Sequence, residues 1–387
     1  MPVKNRFAEL HPEITAWRRD LHEHPEILFE THRTSATVAE KLRAFGCDEV
    51  VEGIGRTGVV GVIKGNATTS GKVIGLRADM DALPIHEQTG VEYASKTPNA
   101  MHACGHDGHT AMLLGAAQYL AETRNFDGTV VVIFQPAEEG GGGGREMCKD
   151  GMMDRWGIQE VYGMHNWPGM PAGSFGIRPG PFFAATDLLE IEVEGLGGHA
   201  AKPNETIDTM VVTAQMITAL QTIVSRNADP IGNIVVSITS IESSSKAFNV
   251  IPQRVNLLGT VRTLSNDLRD LAEKRVTEIC EGIAATFGAT AKVNYIRNYP
   301  VMVNHDEQTE FAADVARSIS GQCDEAPLVM GGEDFAFMLE ERPGAYILVG
   351  NGDTAMVHHP MYNFNDDVIP AGCSWWAGLA EQRMPMG

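Results

Sequence analysis

Apolar and polar residues recur along this chain with two different periods, and the changes of period mark its elements. In Ile14–Leu21 and Thr34–Phe45 the apolar positions return every three or four residues. This predicts two amphipathic helices, the second closed by Gly46. Thr57–Ile63 and Lys72–Arg77 read as strands, joined by the turn-rich KGNATTSG and expected to pair with each other. The run KVIGLRADMD passes from a buried strand into acidic residues. His109–Thr123 predicts a helix, and Gly128–Phe134 (GTVVVIF) a strand buried on both faces that runs into QPAEEGGGGG. Val161–Met164 is strand-like and ends at His165. Three strand ends thus deliver polar or ligand-type residues, as expected where an open α/β sheet gathers its ligand along one rim.

The pattern changes around Pro179–Ala185 (PGPFFAA). Asp187–Val193 alternates strictly, and GLGGHAAKP and a helical stretch near Thr209–Arg226 follow. Strands at Asn233–Ile241 and Gln253–Thr263 come next, then a helix near Ser265–Phe287. The order β–α–β–β–α–β predicts a ferredoxin-like insertion. The expected organisation is an α/β catalytic domain in two parts, residues 1–185 and 298–387, around an inserted α+β domain at 186–297.

Bulk properties narrow the function. A chain of 387 residues is comfortable as two domains. With 43% hydrophobic residues, no apolar run reaches the ~20 residues that span a bilayer. The start, MPVKNRFAELHPEITAWRRDLHEHPE, reads as an amphipathic helix without the apolar core of a secretory signal. A net charge of −20 argues against nucleic acid or an anionic membrane as partner. Six scattered cysteines do not form a disulfide framework, so reduced thiols and a cytoplasmic location are expected.

The candidate chemistry is concentrated in MHACGHDGH, Met101–His109. Cys104 and His106 form a Cys-x-His pair whose thiolate and imidazole can converge on a metal if Gly105 makes a tight turn. His102 and His109 default to structural roles. Glu138 and Glu139 follow an apolar strand directly, which suits one carboxylate as ligand and the other as base. A solvated acidic turn is the plainer alternative for that pair. The glycines after them lack a Lys-Ser/Thr and follow two negative charges, so a phosphate loop is not expected. His165 and the pair His358–His359 add imidazoles at other segment ends. Together with Cys104, His106 and Glu139 they supply enough ligands for two metals sharing a bridge.

MHACGHDGH, FQPAEEGGGG, HNWP, GGHAAKP, FNVIP, GTVRT, GGEDF and HHPMYNFND occur here in the order seen in the metallo-amidohydrolases related to hippurate hydrolase, within the aminoacylase and carboxypeptidase G2 family. The chain resembles that family over nearly its whole length. The resemblance implies a two-domain di-metal peptidase-like fold in which the insertion is a lid that carries the oligomer contact. It implies Cys104, His106, Glu139, His165 and His358 as ligands of two divalent ions per subunit, with Glu138 as base; the His-x-Pro pattern selects His358 over His359. His199 would reach the scissile carbonyl, and Asn249 and Arg262 would hold the substrate. A thiolate ligand favours zinc or manganese, then cobalt or nickel, over magnesium. Asp79 and Asp81 would align the histidines. Three positions depart from the family pattern: Asn204, the segment IESSSKAFNVIP, and Gly332. They touch no presumed ligand and weaken only the transfer of substrate preference.

The resulting expectation is a hydrolase of linear amide bonds that splits N-acyl-L-amino acids, with a homodimer or homotetramer built through the lid. One alternative is a metallo-carboxypeptidase or dipeptidase. Two more distant rivals are a Cys104 nucleophile with His106 as base, and a metal-stabilised binding protein without activity.

Overall fold

The structure, a computed structural model, describes residues 5–387, so the first four positions of the expected N-terminal helix lie outside it. One compact unit comprises the chain through Gly180 together with Val303–Pro327 and Asp334–Gly387. The other comprises Pro181–Met302 and Leu328–Glu333. The crossings fall at 180/181 and 302/303, where the sequence placed them at 185/186 and 297/298, and a further short excursion covers 328–333.

In the first unit, helices α1 (Asn5–Glu23), α2 (His32–Ala44) and α3 (His106–Thr123) accompany strands β1 (Glu49–Ile54), β2 (Gly58–Lys64), β3 (Val73–Asp79), β4 (Thr129–Gln135) and β5 (Glu160–Pro168). Among the described residues these strands belong to an eight-stranded sheet in the order β1-β2-β4-β3-β5, followed by Gly344–Gly352, Phe175–Ile177 and Asp324–Glu325. The expected pairing of β2 with β3 does not occur. β4 lies between them, antiparallel to β2 and parallel to β3. The connection KGNATTSG easily spans two strand spacings, about 10 Å, and β4, apolar and buried from Val130 to Phe134, takes the inner place between two partners.

Strands β3, β4 and β5 run parallel, so their carboxyl ends share one rim. Helix α3 is buried along most of its length, in a core shared with Phe7 and Ile14 of α1 and with Trp375 and Trp376 of the C-terminal helix Ile369–Arg383. Gly115 permits the closest approach: a Cβ there would lie 2.5 Å from Ile14 Cδ1 and 2.9 Å from Cys373 Sγ.

The second unit has the ferredoxin-like arrangement. Its four-stranded antiparallel sheet is ordered Ile234–Ser243, Arg254–Thr263, Ala185–Glu194, Thr290–Tyr299. Helices Thr209–Leu220 and Asn266–Thr286 bury one face through Val212, Met216, Ala272 and Val276 against Leu189, Ile191, Val255 and Leu257. Both helices start on side-chain caps. Asp208 accepts from the Met210 and Val211 N–H groups, and Ser265 accepts from Leu268 N–H. Among the described residues, no helix is long and apolar enough to cross a membrane.

Candidate metal centre

The turn before α3 is shaped by glycine. Gly105 has φ +87°, and a Cβ on it would fall 2.3 Å from Asn166 Nδ2 and 2.4 Å from Tyr362 Oη. Only glycine combines that conformation with that proximity. The turn therefore seats Cys104 and His106 deep in the rim, both buried.

The partners of each imidazole decide which nitrogen is available. His106 donates from Nδ1 to the Asp81 carbonyl at 2.8 Å, and its buried Nε2 has no hydrogen-bond partner. His165 lies inside β5 rather than at its end, and donates from Nδ1 to the Asn166 carbonyl at 2.6 Å. Its Nε2 is 3.3 Å from Cys104 Sγ. With Nδ1 engaged on a carbonyl, each ring leaves Nε2 as the nitrogen that a metal ion could take in place of a proton. His109 is committed otherwise: Nδ1 bonds Asp79 at 2.6 Å and Nε2 accepts from Asn166 N–H at 2.9 Å.

Glu138 and Glu139 follow β4 through Pro136 and Ala137, the latter in the left-handed region at φ +53°. Glu139 Oε1 lies 3.2 Å from His358 Nε2. His358 itself has φ +66°, unusual for a side-chain-bearing residue, and its N–H donates to the Ala103 carbonyl at 2.7 Å. This ties the distant C-terminal segment to the Cys104 turn.

The donor atoms of Cys104, His106 and His165 lie within 4.8 Å of one another, and so do those of Cys104, Glu139 and His358. The two triads share Cys104. Glu138 joins His106 and Glu139 in a further such group. His359 and His102 belong to none of these groups.

The field at this place suits cations. Burial raises the Cys104 thiol well above its ordinary range, and Glu139, Glu138 and Asp79 add to the rise. Such a thiol keeps its proton unless a cation compensates it, which removes the basis for Cys104 as a free nucleophile. Burial alone would lower His106, but Asp79, Asp81 and Glu139 outweigh it and lift its pKa to about 10. The same carboxylates that favour a proton there favour a metal ion. Burial opposes ionisation of Asp79, yet His106, His109 and Arg77 hold it well below the usual carboxylate range. An orphaned imidazole nitrogen, a buried thiol and convergent carboxylates fit a pair of divalent ions.

His199, Asn249 and Arg262 lie in the second unit. Gly198–His199 pairs antiparallel with Val250–Ile251, and Ala200 N–H donates to the Asn249 carbonyl at 3.0 Å, so His199 and Asn249 sit on one ribbon. Ala201 N–H donates to His199 Nδ1 at 3.0 Å, leaving Nε2 to carry the ring proton outward. Arg262 is half-buried. Burial lowers its pKa, and no described carboxylate pairs with it, because nearby Asp187 is taken by Arg269 and Tyr295. Such a guanidinium is suited to an incoming anion.

Sequence reasoning missed Asn166, which binds the turn, Tyr362, which binds Asn166, and His22, which bonds Asp107 at 2.7 Å. Asn166 and Tyr362 carry no mark in their residue type, and His22, though an imidazole, stands about eighty positions before the nearest other candidate donor.

Residues 75–382 match the family described as peptidase family M20/M25/M40. Hippurate hydrolase of Campylobacter jejuni is 43% identical over 97% of both chains. Thermostable carboxypeptidase 2 of Saccharolobus solfataricus is 40% identical over 98% of this chain and 97% of its own. A solved Bacillus subtilis structure, described as a dinuclear metal-binding peptidase of the M20 family, superposes with a TM-score of 0.86 at 35% identity, covering 97% of this chain and 99% of that one. The chain belongs to the M20/M25/M40 peptidase family and has its dinuclear metal-peptidase fold, with the ferredoxin-like unit as the inserted domain.

Proposed function

We propose that this chain is a metal-dependent amidohydrolase that cleaves N-acyl-L-amino acids, hippurate-like or N-acetylated, to a carboxylic acid and a free amino acid. The observation that carries the reading is the pair of donor triads sharing Cys104, with Glu138 beside them. Cys104, His106, Glu139, His165 and His358 would hold two divalent ions, zinc or manganese before cobalt or nickel. When bound, such ions polarise a carbonyl and acidify water. Glu138 takes the proton of the attacking water and delivers it to the leaving nitrogen, so one carboxylate serves as base and then acid. His199 donates from Nε2 to the carbonyl oxygen as negative charge develops there. Arg262 binds the free α-carboxylate in a bidentate fork and Asn249 steadies the amide.

The two named relatives differ in acyl side, and both names denote release of an amino acid with a free carboxylate. The unpaired Arg262 supports that shared requirement. Six unbridged cysteines are consistent with a cytoplasmic location. On the open face of the inserted unit's sheet, Leu188 and Ile296 pair across adjacent strands, 40% and 38% exposed, which supports self-association there. The deciding experiment is a metal-reconstituted screen of N-benzoyl, N-acetyl, indole-acetyl and long-chain acyl amino acids beside dipeptides. Turnover of acyl amino acids is expected. Turnover of peptides alone would replace this reading with a dipeptidase or carboxypeptidase.

A further inference from the structure

One buried amide joins several parts of this site. Asn166, fully buried, donates from Nδ2 to the Cys104 carbonyl at 2.6 Å and accepts on Oδ1 from the Tyr362 hydroxyl at 2.7 Å. Its backbone N–H fixes His109, and its carbonyl fixes the His165 ring. Tyr362 is also fully buried and lies four residues beyond His358, whose N–H reaches back to Ala103. The absent Cβ of Gly105 lets the amide and the hydroxyl sit directly against the Cys104 turn. Three chain segments carrying candidate metal ligands are thus joined through two neutral side chains that are not themselves candidate ligands.

We propose that Tyr362 and Asn166 are positioning residues that set the separation of Cys104, His165 and His358 for divalent metal, without touching the ion. This rests on the assignment of those three as ligands. A hydrogen-bonded pair is the suitable device, because it fixes distance and angle without adding charge to an already acidic pocket.

The test uses Tyr362→Phe, which removes one oxygen atom. Cobalt(II) affinity is measured by competition with a chromophoric chelator, and the thiolate-to-cobalt and ligand-field bands are recorded. The control is Tyr162→Phe, whose buried hydroxyl donates to Glu160 at 2.9 Å in β5. Tyr362→Phe is expected to bind cobalt about 10- to 100-fold more weakly with shifted bands. Tyr162→Phe should lose stability yet bind as the unmodified protein does. Asn166→Asp, nearly isosteric, keeps an acceptor for Tyr362 but loses the donor to Cys104, and should weaken cobalt in the same way. Unchanged affinity and spectrum in whichever of Tyr362→Phe and Asn166→Asp folds overturns the proposal. A Cys104→Ser protein that keeps the original cobalt spectrum would instead refute the ligand assignment beneath it.

Discussion

Asp81 holds Glu138 by its backbone: Oδ1 accepts the Glu138 N–H at 2.9 Å, while Oδ2 takes the next N–H, that of Glu139, at 3.1 Å. One carboxylate therefore orients both acidic residues, and its own carbonyl orients His106. An amide at position 81 can accept only one of the two bonds and turns a donor toward the other N–H. Asp81→Asn should fold, lose about 10- to 100-fold in kcat, and leave KM for an acyl amino acid within a few-fold. Steady-state kinetics with metal analysis check this. A change confined to KM would show that Asp81 does not act through the acidic turn.

Glu138→Gln separates chemistry from binding. The side chain keeps its size, so the donor triads through Cys104 are not altered. Loss of a general base costs roughly 10²- to 10⁴-fold, and the whole loss should appear in kcat. Metal content should stay at the level of the unmodified protein. An active Glu138→Gln enzyme would remove Glu138 from the mechanism.

The candidate donors were visible in the sequence because their chemistry is local. A thiol, imidazoles and carboxylates at segment ends announce themselves, and ordered motifs linked them into one family pattern. The period changes likewise marked the inserted unit. What could not be read was pairing at a distance. Nothing in KGNATTSG says that β4, arriving about sixty residues later, will separate β2 from β3. Nothing in NWP or MYN says that Asn166 and Tyr362, 196 positions apart, share a hydrogen bond. Neutral polar side chains acquire their roles from the fold alone, whereas titratable donors carry part of theirs in their residue type.

Arg77 carries the cost of the buried charges. It is fully buried, 2.8 Å from Asp79 and 3.0 Å from Asp334, and it donates to Gln135 at 2.9 Å. Arg77→Met keeps the volume and leaves two buried carboxylates without their cation. A loss of about 3–5 kcal/mol in unfolding free energy is expected, read by chemical denaturation. Arg77→Lys should recover only part of it, since one ammonium cannot reproduce the fork between two acids. Full stability in Arg77→Met would mean that the imidazoles beside Asp79 and the Gln135 amide and Gly144 N–H on Asp334 suffice to hold the two buried carboxylates.

His22 gives the fold a pH dependence whose sign is fixed by its neighbours. Its Nδ1 lies 2.7 Å from Asp107 and its Nε2 3.2 Å from Glu87, so both nitrogens face carboxylates and both act as donors. Burial opposes the charge and nearby Arg18 adds to that opposition, yet Asp107 and Glu87 prevail and lift the pKa from 6.5 to about 9. A raised folded pKa means that the stabilisation is complete below about 6.5 and disappears as pH climbs through about 9. Asp107 has the opposite sign. Burial would raise it, but His22, His102 and Arg18 hold it well below the usual carboxylate range, so its contribution exists above the ordinary carboxylate pKa and is lost in acid. The ion pair is therefore strongest in mildly acidic solution. Between pH 6 and pH 9.5 the unmodified protein should lose on the order of 3 kcal/mol through this group, and His22→Gln should lack that part of the slope while being less stable at pH 6. Denaturation curves for both proteins across that range measure the difference. Parallel slopes would show that His22 is not protonated between its two carboxylates.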